Sequence, residues 1–162
     1  MKILEDYPIS GKEEAIAAPH GYHTLNAYQA VVTVYLDIRG RLTSAFPAFL
    51  DPGHNHNFSI SEQHLRDWLG VDPASLNVLR QIRFDDRLVP LAEADVVLLR
   101  NKKATRDINP KDPYVFHFSQ DKGIMVHKTP IAPLPILGMR GIMRNDLKLL
   151  FDGQRKSFDL SS

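Results

Sequence analysis

Alternating apolar and polar residues are the clearest pattern in this chain, and they predict short β-strands. In residues 30–38, apolar and mostly β-branched side chains alternate with polar ones, which is typical of a half-buried strand. A glycine-containing turn at 39–41 is followed by a second apolar segment, 42–50, which runs into Asp51. We therefore predict a hairpin whose second strand ends at this aspartate.

The strongest helix signals follow this hairpin, in residues 59–70. Ser59 and Glu62 have the spacing of a capping box, and Gly70 is a suitable residue for the end of the helix. His64 lies one turn into the helix, and we expect it to be exposed. The apolar face that we expect to pack on the core consists of Leu65, Trp68 and Leu69.

Most of the remaining chain shows weaker strand patterns separated by turns. Two apolar segments flank Asp152-Gly153 and predict a hairpin, whereas the polar, proline-containing segment 101–113 predicts a surface loop. Residues 1–26 have no sustained period, so we expect an extended arm or lead-in before a single domain, 27–162. Further strands are expected at 76–84, 88–99, 114–118 and 124–127, and a short helix at 140–145. The pattern as a whole predicts a mainly β, barrel-like domain with one or two short helices.

Composition excludes several classes of function. The 162 residues include 20 Lys and Arg against 19 Asp and Glu, so no strong net charge attracts the chain to nucleic acid. The chain has no cysteine, which excludes disulfides, thiolate zinc sites and cysteine nucleophiles. No apolar run approaches the ~20 residues of a membrane helix, and acidic residues appear too early for a secretory signal. We therefore expect a cytoplasmic protein without nucleic-acid or membrane partners.

Candidate chemistry is concentrated where the first hairpin ends, at Asp51-Pro52-Gly53. Asp, Pro and Gly are common turn formers, so an ordinary tight turn is one interpretation. The other is that an apolar strand holds one carboxylate in a rigid site. Asp51 with His54 and His56 also makes an Asp-x-x-His-x-His pattern, whose carboxylate and imidazole groups are suitable metal ligands.

Three sequence features, in this order, resemble the retropepsin family of single-domain aspartic proteases. The first is the hairpin that runs into an Asp-x-Gly triplet, here Asp51-Pro52-Gly53. The second is the strand pattern of residues 87–99, and the third is the apolar-apolar-Gly motif within 134–140. The final hairpin fits as well, so the resemblance covers residues 27–162. It implies a closed, acid-protease-like barrel.

The resemblance also implies a reaction and a site. The family cleaves peptides with two carboxylates that share one proton and activate a water molecule. Since this chain supplies one such acid, Asp51, a homodimer would bring the second from its partner, and no cofactor is implied. The substrate would be a peptide or protein. Besides Asp51, the implied site has three parts. The active-site loop is Pro52, Gly53 and His54, and the supporting loop is Ile136, Leu137 and Gly138. The flap is Phe84, Asp85, Asp86 and Arg87.

Three departures from the family pattern leave a second interpretation open. Pro52 replaces a threonine or serine whose hydroxyl links the two protomers, and proline has neither a hydroxyl nor an N–H. His54 replaces a small residue, where a bulky ring would crowd the substrate. The turn at 84–87 has no glycine, unlike the flap tip of the family. The alternative is a non-catalytic binding or dimerisation module, with a metal bound by Asp51, His54 and His56.

Overall fold

The computed structural model describes residues 1–162, and most of its elements are β-strands. The first seven strands are β1 Lys2–Pro8, β2 Glu14–Ala18, β3 Gly21–Leu25, β4 Val31–Ile38, β5 Arg41–Leu42, β6 Phe46–Asp51 and β7 Phe58–Ser61. Helix α1, Glu62–Leu69, is followed by β8 Val78–Phe84, β9 Arg87–Ala92, β10 Asp95–Asn101, β11 Ile108–Phe116 and β12 Ile124–His127. The last elements are β13 Ile136–Gly138, α2 Met139–Arg144, β14 Lys148–Asp152 and β15 Ser157–Ser161. The predicted mainly β class with short helices is confirmed.

The strands form one long sheet and two small ones. The long sheet has the order β11-β10-β4-β6-β13-β7-β12-β9-β8, with β5 added beside β4. Its end strands, β11 and β8, each have one strand neighbour, so the sheet does not form the closed barrel expected from the sequence. β1, β15 and β14 form the second sheet, and β2 and β3 form a separate hairpin. Neither helix is long and apolar enough to cross a membrane.

The main core is built on the first hairpin of the long sheet, β4 and β6. These strands pair antiparallel, as predicted. Val32, Val34 and Leu36 have no exposed surface, since alternate residues of a strand face the same side. They belong to a cluster of 28 buried residues that also includes Leu65 of α1. Burial of this apolar surface is the main favourable contribution to folding.

Helix α1 begins at a different cap from the one predicted. The N-cap is Ser61, whose hydroxyl accepts a hydrogen bond from the His64 N–H at 3.0 Å. The predicted capping box at Ser59 is wrong, because Ser59 belongs to β7 and is buried there. Gly70 ends the helix as predicted, in the left-handed conformation with φ of 62°. His64 is not exposed as expected, because it lies one turn before Trp68 and its ring packs 4.4 Å from that side chain.

Two predictions in the middle of the chain are wrong. Residues 88–99 do not form one strand, because the chain changes partners at Glu93-Ala94. β9 pairs with β8 and β12, whereas β10 pairs with β4 and β11. Residues 108–113, expected in a surface loop, belong to β11 in spite of Pro110 and Pro113. Prolines are tolerated there because β11 is an edge strand whose ladder with β10 is interrupted at this point.

The two ends of the chain meet in the second sheet. Residues 1–26 contain three strands, of which β1 pairs antiparallel with β15. The Met1 amino group donates to the Ser162 carbonyl at 3.1 Å, and the Ser162 N–H donates to the Met1 carbonyl at 2.9 Å. Leu25, at the end of β3, packs in a small apolar cluster with Phe49 of β6. The hairpin predicted around Asp152-Gly153 is confirmed as β14 and β15.

Candidate functional site

Asp51 is exposed at the end of a buried strand. The residues of β6 from Phe46 to Leu50 are all buried, and Asp51 follows them at the surface. β13 pairs with β6 in parallel register, so that Gly138 lies directly beside Asp51. The other edge of β13 pairs antiparallel with β7, and its residues Ile136 and Leu137 are buried. The structure therefore brings together the segments predicted as active-site loop and supporting loop.

Backbone hydrogen bonds hold the turn after Asp51 against β13. The Gly53 N–H donates to Asp51 Oδ1 at 2.8 Å, and the His54 N–H donates to the Asp51 carbonyl at 3.1 Å. From the other side, the Met139 N–H donates to the His54 carbonyl at 2.7 Å. The carboxylate is thus oriented by its own turn, and the turn is held by the residue that follows β13.

Gly138 is needed because the turn passes very close to it. A Cβ atom built on Gly138 would overlap the carbonyl oxygens of His54 and His56. Both are backbone atoms, so neither moves aside without shifting the turn. Close approach of two backbone segments is one of the situations that require glycine.

The His54 ring is held by its neighbours in the loop. Its Nε2 lies 2.8 Å from Ser59 Oγ, and its centroid lies 5.0 Å from that of His56. Burial lowers the pKa of His54 and the nearby His56 lowers it further, whereas Asp51 acts in the opposite direction. The ring is therefore neutral at neutral pH, and it places no positive charge beside the Asp51 carboxylate.

The residues predicted as a flap form the tip of the β8–β9 hairpin. Phe84 pairs with Arg87, and Asp85 and Asp86 make the two-residue turn between them. Their φ angles are 46° and 60°. A type I′ turn requires positive φ at both central residues, and aspartate tolerates this conformation better than most residues other than glycine. The hairpin is therefore tight although it lacks glycine.

Phe84 connects this hairpin tip to the loop after Asp51. Its ring centroid lies 5.6 Å from His56, 6.5 Å from His54 and 5.1 Å from His127. His127, the last residue of β12, is 3% exposed and its Nε2 has no hydrogen-bond partner. Burial lowers the pKa of His127 to about 4, because a proton on its ring would be poorly solvated there and would also lie close to any proton on His54. Sequence reasoning missed His127, because one histidine at the end of an apolar strand carries no pattern that links it to a distant loop.

The side chains considered as metal ligands do not form a metal site. No group of three or more His, Cys, Asp or Glu side chains is placed to hold a metal ion. His54 and His56 pack against each other and against Phe84, while the Asp51 carboxylate accepts from the Gly53 N–H. The Asp-x-x-His-x-His spacing therefore does not produce convergent ligands.

An apolar groove of about 460 Å³ borders Asp51 and Pro52. Tyr28 and Phe151 line it, and their side chains are 68% and 53% exposed. A contiguous apolar surface with exposed aromatic rings is typical of an interaction surface. Its position beside the Asp51-Pro52-Gly53 triplet makes the groove part of the candidate site.

Comparisons of the chain with protein-family models, curated proteins and solved structures found no match. The geometry around Asp51, together with the retropepsin-like sequence motifs, is therefore the basis for a functional proposal.

Proposed function

We propose that this chain is a retropepsin-like aspartic endopeptidase that acts as a homodimer. The Asp51 carboxyl groups of two copies come together, share one proton and activate a water molecule for attack on a peptide carbonyl. The observation that carries this proposal is the parallel register of Asp51 and Gly138. In the family, an apolar-apolar-Gly motif lies across the active-site loop, and here Ile136-Leu137-Gly138 lies beside the Asp-x-Gly turn.

Two further features support a proteolytic site. The Asp51 carboxylate is exposed and oriented by the Gly53 N–H, so it is accessible to a second carboxylate. The β8–β9 hairpin reaches the same loop, since Phe84 at its tip contacts His54 and His56. A substrate in extended conformation would lie between this hairpin and the loop.

The surface around Asp51 suits a second copy of the chain. For two Asp51 carboxyl groups to meet, a two-fold axis has to pass close to them, and the surrounding surface becomes the interface. That surface is the apolar groove lined by Tyr28 and Phe151. The terminal strands β1 and β15 pair with each other within one chain. We therefore place the main interface at the groove rather than at exchanged termini.

A non-catalytic binding or dimerisation module on the same scaffold is the second candidate. Pro52 favours it, because proline cannot supply the hydroxyl that links the two loops across the axis in the family. Phe84 favours it as well, because its ring packs on His54, His56 and His127 and occupies space beside the loop.

Digestion of a complex peptide mixture between about pH 4 and pH 7, read by mass spectrometry, tests the protease proposal. The parent chain should cleave peptides and lose activity as the pH rises, because the reaction needs one proton on the carboxyl pair. Asp51→Asn should abolish cleavage without changing the circular dichroism spectrum. Asp152→Asn is the matched control and should retain activity, since Asp152 is likewise the exposed last residue of a strand and accepts from an N–H of the turn that follows it.

If the parent chain cleaves no peptide, two variants test the loop residues that depart from the family pattern, Pro52 and His54. Pro52→Thr supplies the hydroxyl of the family, and His54→Ala removes the ring beside the carboxylate. Rescue by either variant would support a protease scaffold whose site is obstructed. If neither variant cleaves, the protease proposal is wrong and the binding module remains.

A further inference from the structure

A small pocket beside the candidate site is lined by three cationic side chains. They are Arg80 of β8, Lys122 of the turn before β12, and Arg140 of α2. The eight close ion pairs of the chain include none of these three. No acidic side chain lines the pocket. The pocket therefore concentrates positive charge without an acidic side chain in its lining.

Asp121, which precedes Lys122 in the sequence, already forms an ion pair with Arg144. Arg144 donates to both of its carboxylate oxygens, through Nη2 at 2.7 Å and Nε at 3.2 Å. The pKa of Lys122 is lowered, first by the charge of Arg140 and then by that of Arg80. One anion placed between the three cations would interact favourably with all of them.

The size and the walls of the pocket restrict the kind of anion. Its volume is about 70 Å³, which is enough for a few water molecules or one short side chain and too little for a nucleotide. A bare phosphate would satisfy the cations but leave the apolar walls without contacts. A carboxylate on a short aliphatic stem satisfies both, because its methylene groups pack on apolar surface. The apolar walls are formed by Phe58, Ile82, Leu91 and Met125.

The pocket is built from the elements that form the candidate site. His56 lines the pocket and also contacts Phe84 at the tip of the β8–β9 hairpin. Arg80 lies on β8 of the same hairpin, and Arg140 follows Gly138 by two residues. A polypeptide bound between the hairpin and the loop after Asp51 would therefore pass next to the three cations.

We propose that this pocket binds the carboxylate side chain of an aspartate or glutamate in the polypeptide substrate. The inference rests on the proposed function and gives it a specificity, namely an acidic residue at one fixed position relative to the cleaved bond. The planar guanidinium groups of Arg80 and Arg140 suit hydrogen bonding to a carboxylate, and Lys122 adds a third positive charge.

A binding experiment tests the pocket without requiring cleavage. N-acetylglutamate α-amide, with the neutral N-acetylglutamine α-amide as its isostere, is titrated into ¹⁵N-labelled Asp51→Asn, which removes any proteolysis. We expect saturable shifts of the Gly123 and Met125 amide resonances with the glutamate compound alone. Arg80→Gln and Arg140→Gln should each weaken this binding by about tenfold, the scale of one charged hydrogen bond.

Arg83→Gln is the matched control for the binding experiment. Arg83 is exposed on β8 and points to the opposite face of the strand from Arg80 and Ile82, so its loss should leave the affinity unchanged. Equal binding of the glutamate and glutamine compounds would overturn the proposal. So would tighter binding of inorganic phosphate combined with no effect of the glutamate compound.

A cleavage experiment tests the specificity and separates the pocket from the proposed activity. Products of a peptide library should show acidic residues enriched at one position in the parent chain, and Arg140→Gln should lose this enrichment while still cleaving. Glutamate binding without any cleavage would support the anion pocket and overturn its role in a protease. Cleavage without acidic preference and without glutamate binding would overturn the pocket and leave the protease proposal intact.

Discussion

At Gly138, a methyl group would meet the carbonyl oxygens of His54 and His56. Gly138→Ala therefore has to displace the turn after Asp51. This movement also disrupts the hydrogen bond from the Met139 N–H to the His54 carbonyl. We expect the free energy of unfolding to fall by about 2–3 kcal/mol, as for other overpacked sites. Denaturation with urea measures this loss.

Gly153→Ala is the control for this prediction. A Cβ atom at Gly153 would have no neighbouring heavy atom within 4 Å. Its substitution should change the free energy of unfolding by no more than about 0.5 kcal/mol, as is usual for surface positions. Equal effects of the two substitutions would show that close packing does not explain Gly138.

Single residues could be predicted from the sequence where their partners are close in the chain. The Gly53 N–H and the Asp51 carboxylate are two residues apart, and Gly70 ends its own helix, so short-range rules describe both. The environment of His64 could not be predicted, because it depends on how α1 is turned on the sheet. His127 could not be predicted either, since parallel pairing of β12 with β7 brings it to the loop.

For whole strands as well, the sequence predicted local structure better than it predicted pairing with distant segments. The alternation of β4 and the apolar run of β6 predicted these two strands, because both patterns report which side chains are buried. Such patterns could not show that residues 88–99 change partners, since both halves are paired on both edges and remain apolar. The apolar pattern of β13 did not predict that this strand pairs with β6 and β7. The expectation that residues 136–138 lie beside Asp51 came from the family resemblance alone.

The contact between the hairpin tip and the loop should make the protein sensitive to acid. The pKa of His127 is about 4 in the folded chain, well below its ordinary value near 6.5, because the ring is buried beside His54. As the pH falls below about 6.5, His127 binds a proton in the unfolded chain but stays neutral in the folded chain. The contribution of His127 to the free energy of unfolding is therefore fully present above this pH. It is lost as the pH falls to about 4, and with solvent screening the loss is about 2 kcal/mol.

His127→Phe removes this titration and keeps an aromatic ring beside Phe84. We expect the variant to lose less stability than the parent chain between about pH 6.5 and pH 4, measured by urea denaturation at each pH. His117→Gln, at an exposed position, should lose as much as the parent. A parent chain with constant stability over this range would contradict the assignment of His127 as a buried neutral group.

For the molecule as a whole, the proposed dimer depends on the apolar groove beside Asp51. Phe151→Asp places a charge in that groove at a position that is already 53% exposed, so the fold of one chain should tolerate it. We expect sedimentation experiments to show a shift to monomer and digestion to show loss of cleavage. Leu42→Asp introduces the same charge at another exposed apolar position, 60% exposed and outside the groove, and should do neither. A monomeric parent chain at high concentration would exclude the shared-proton mechanism.

The two free edges of the long sheet bear on how copies of this chain can associate. At one edge, Pro110 and Pro113 remove two N–H groups from β11 and lie where its ladder is broken. At the other edge, β8 carries Arg80 and Arg83, and two such strands approaching each other would repel. Neither edge is a good template for adding strands from another molecule, so fibre growth by sheet extension is disfavoured. Contacts between copies of this chain are then directed away from the two edges of the long sheet.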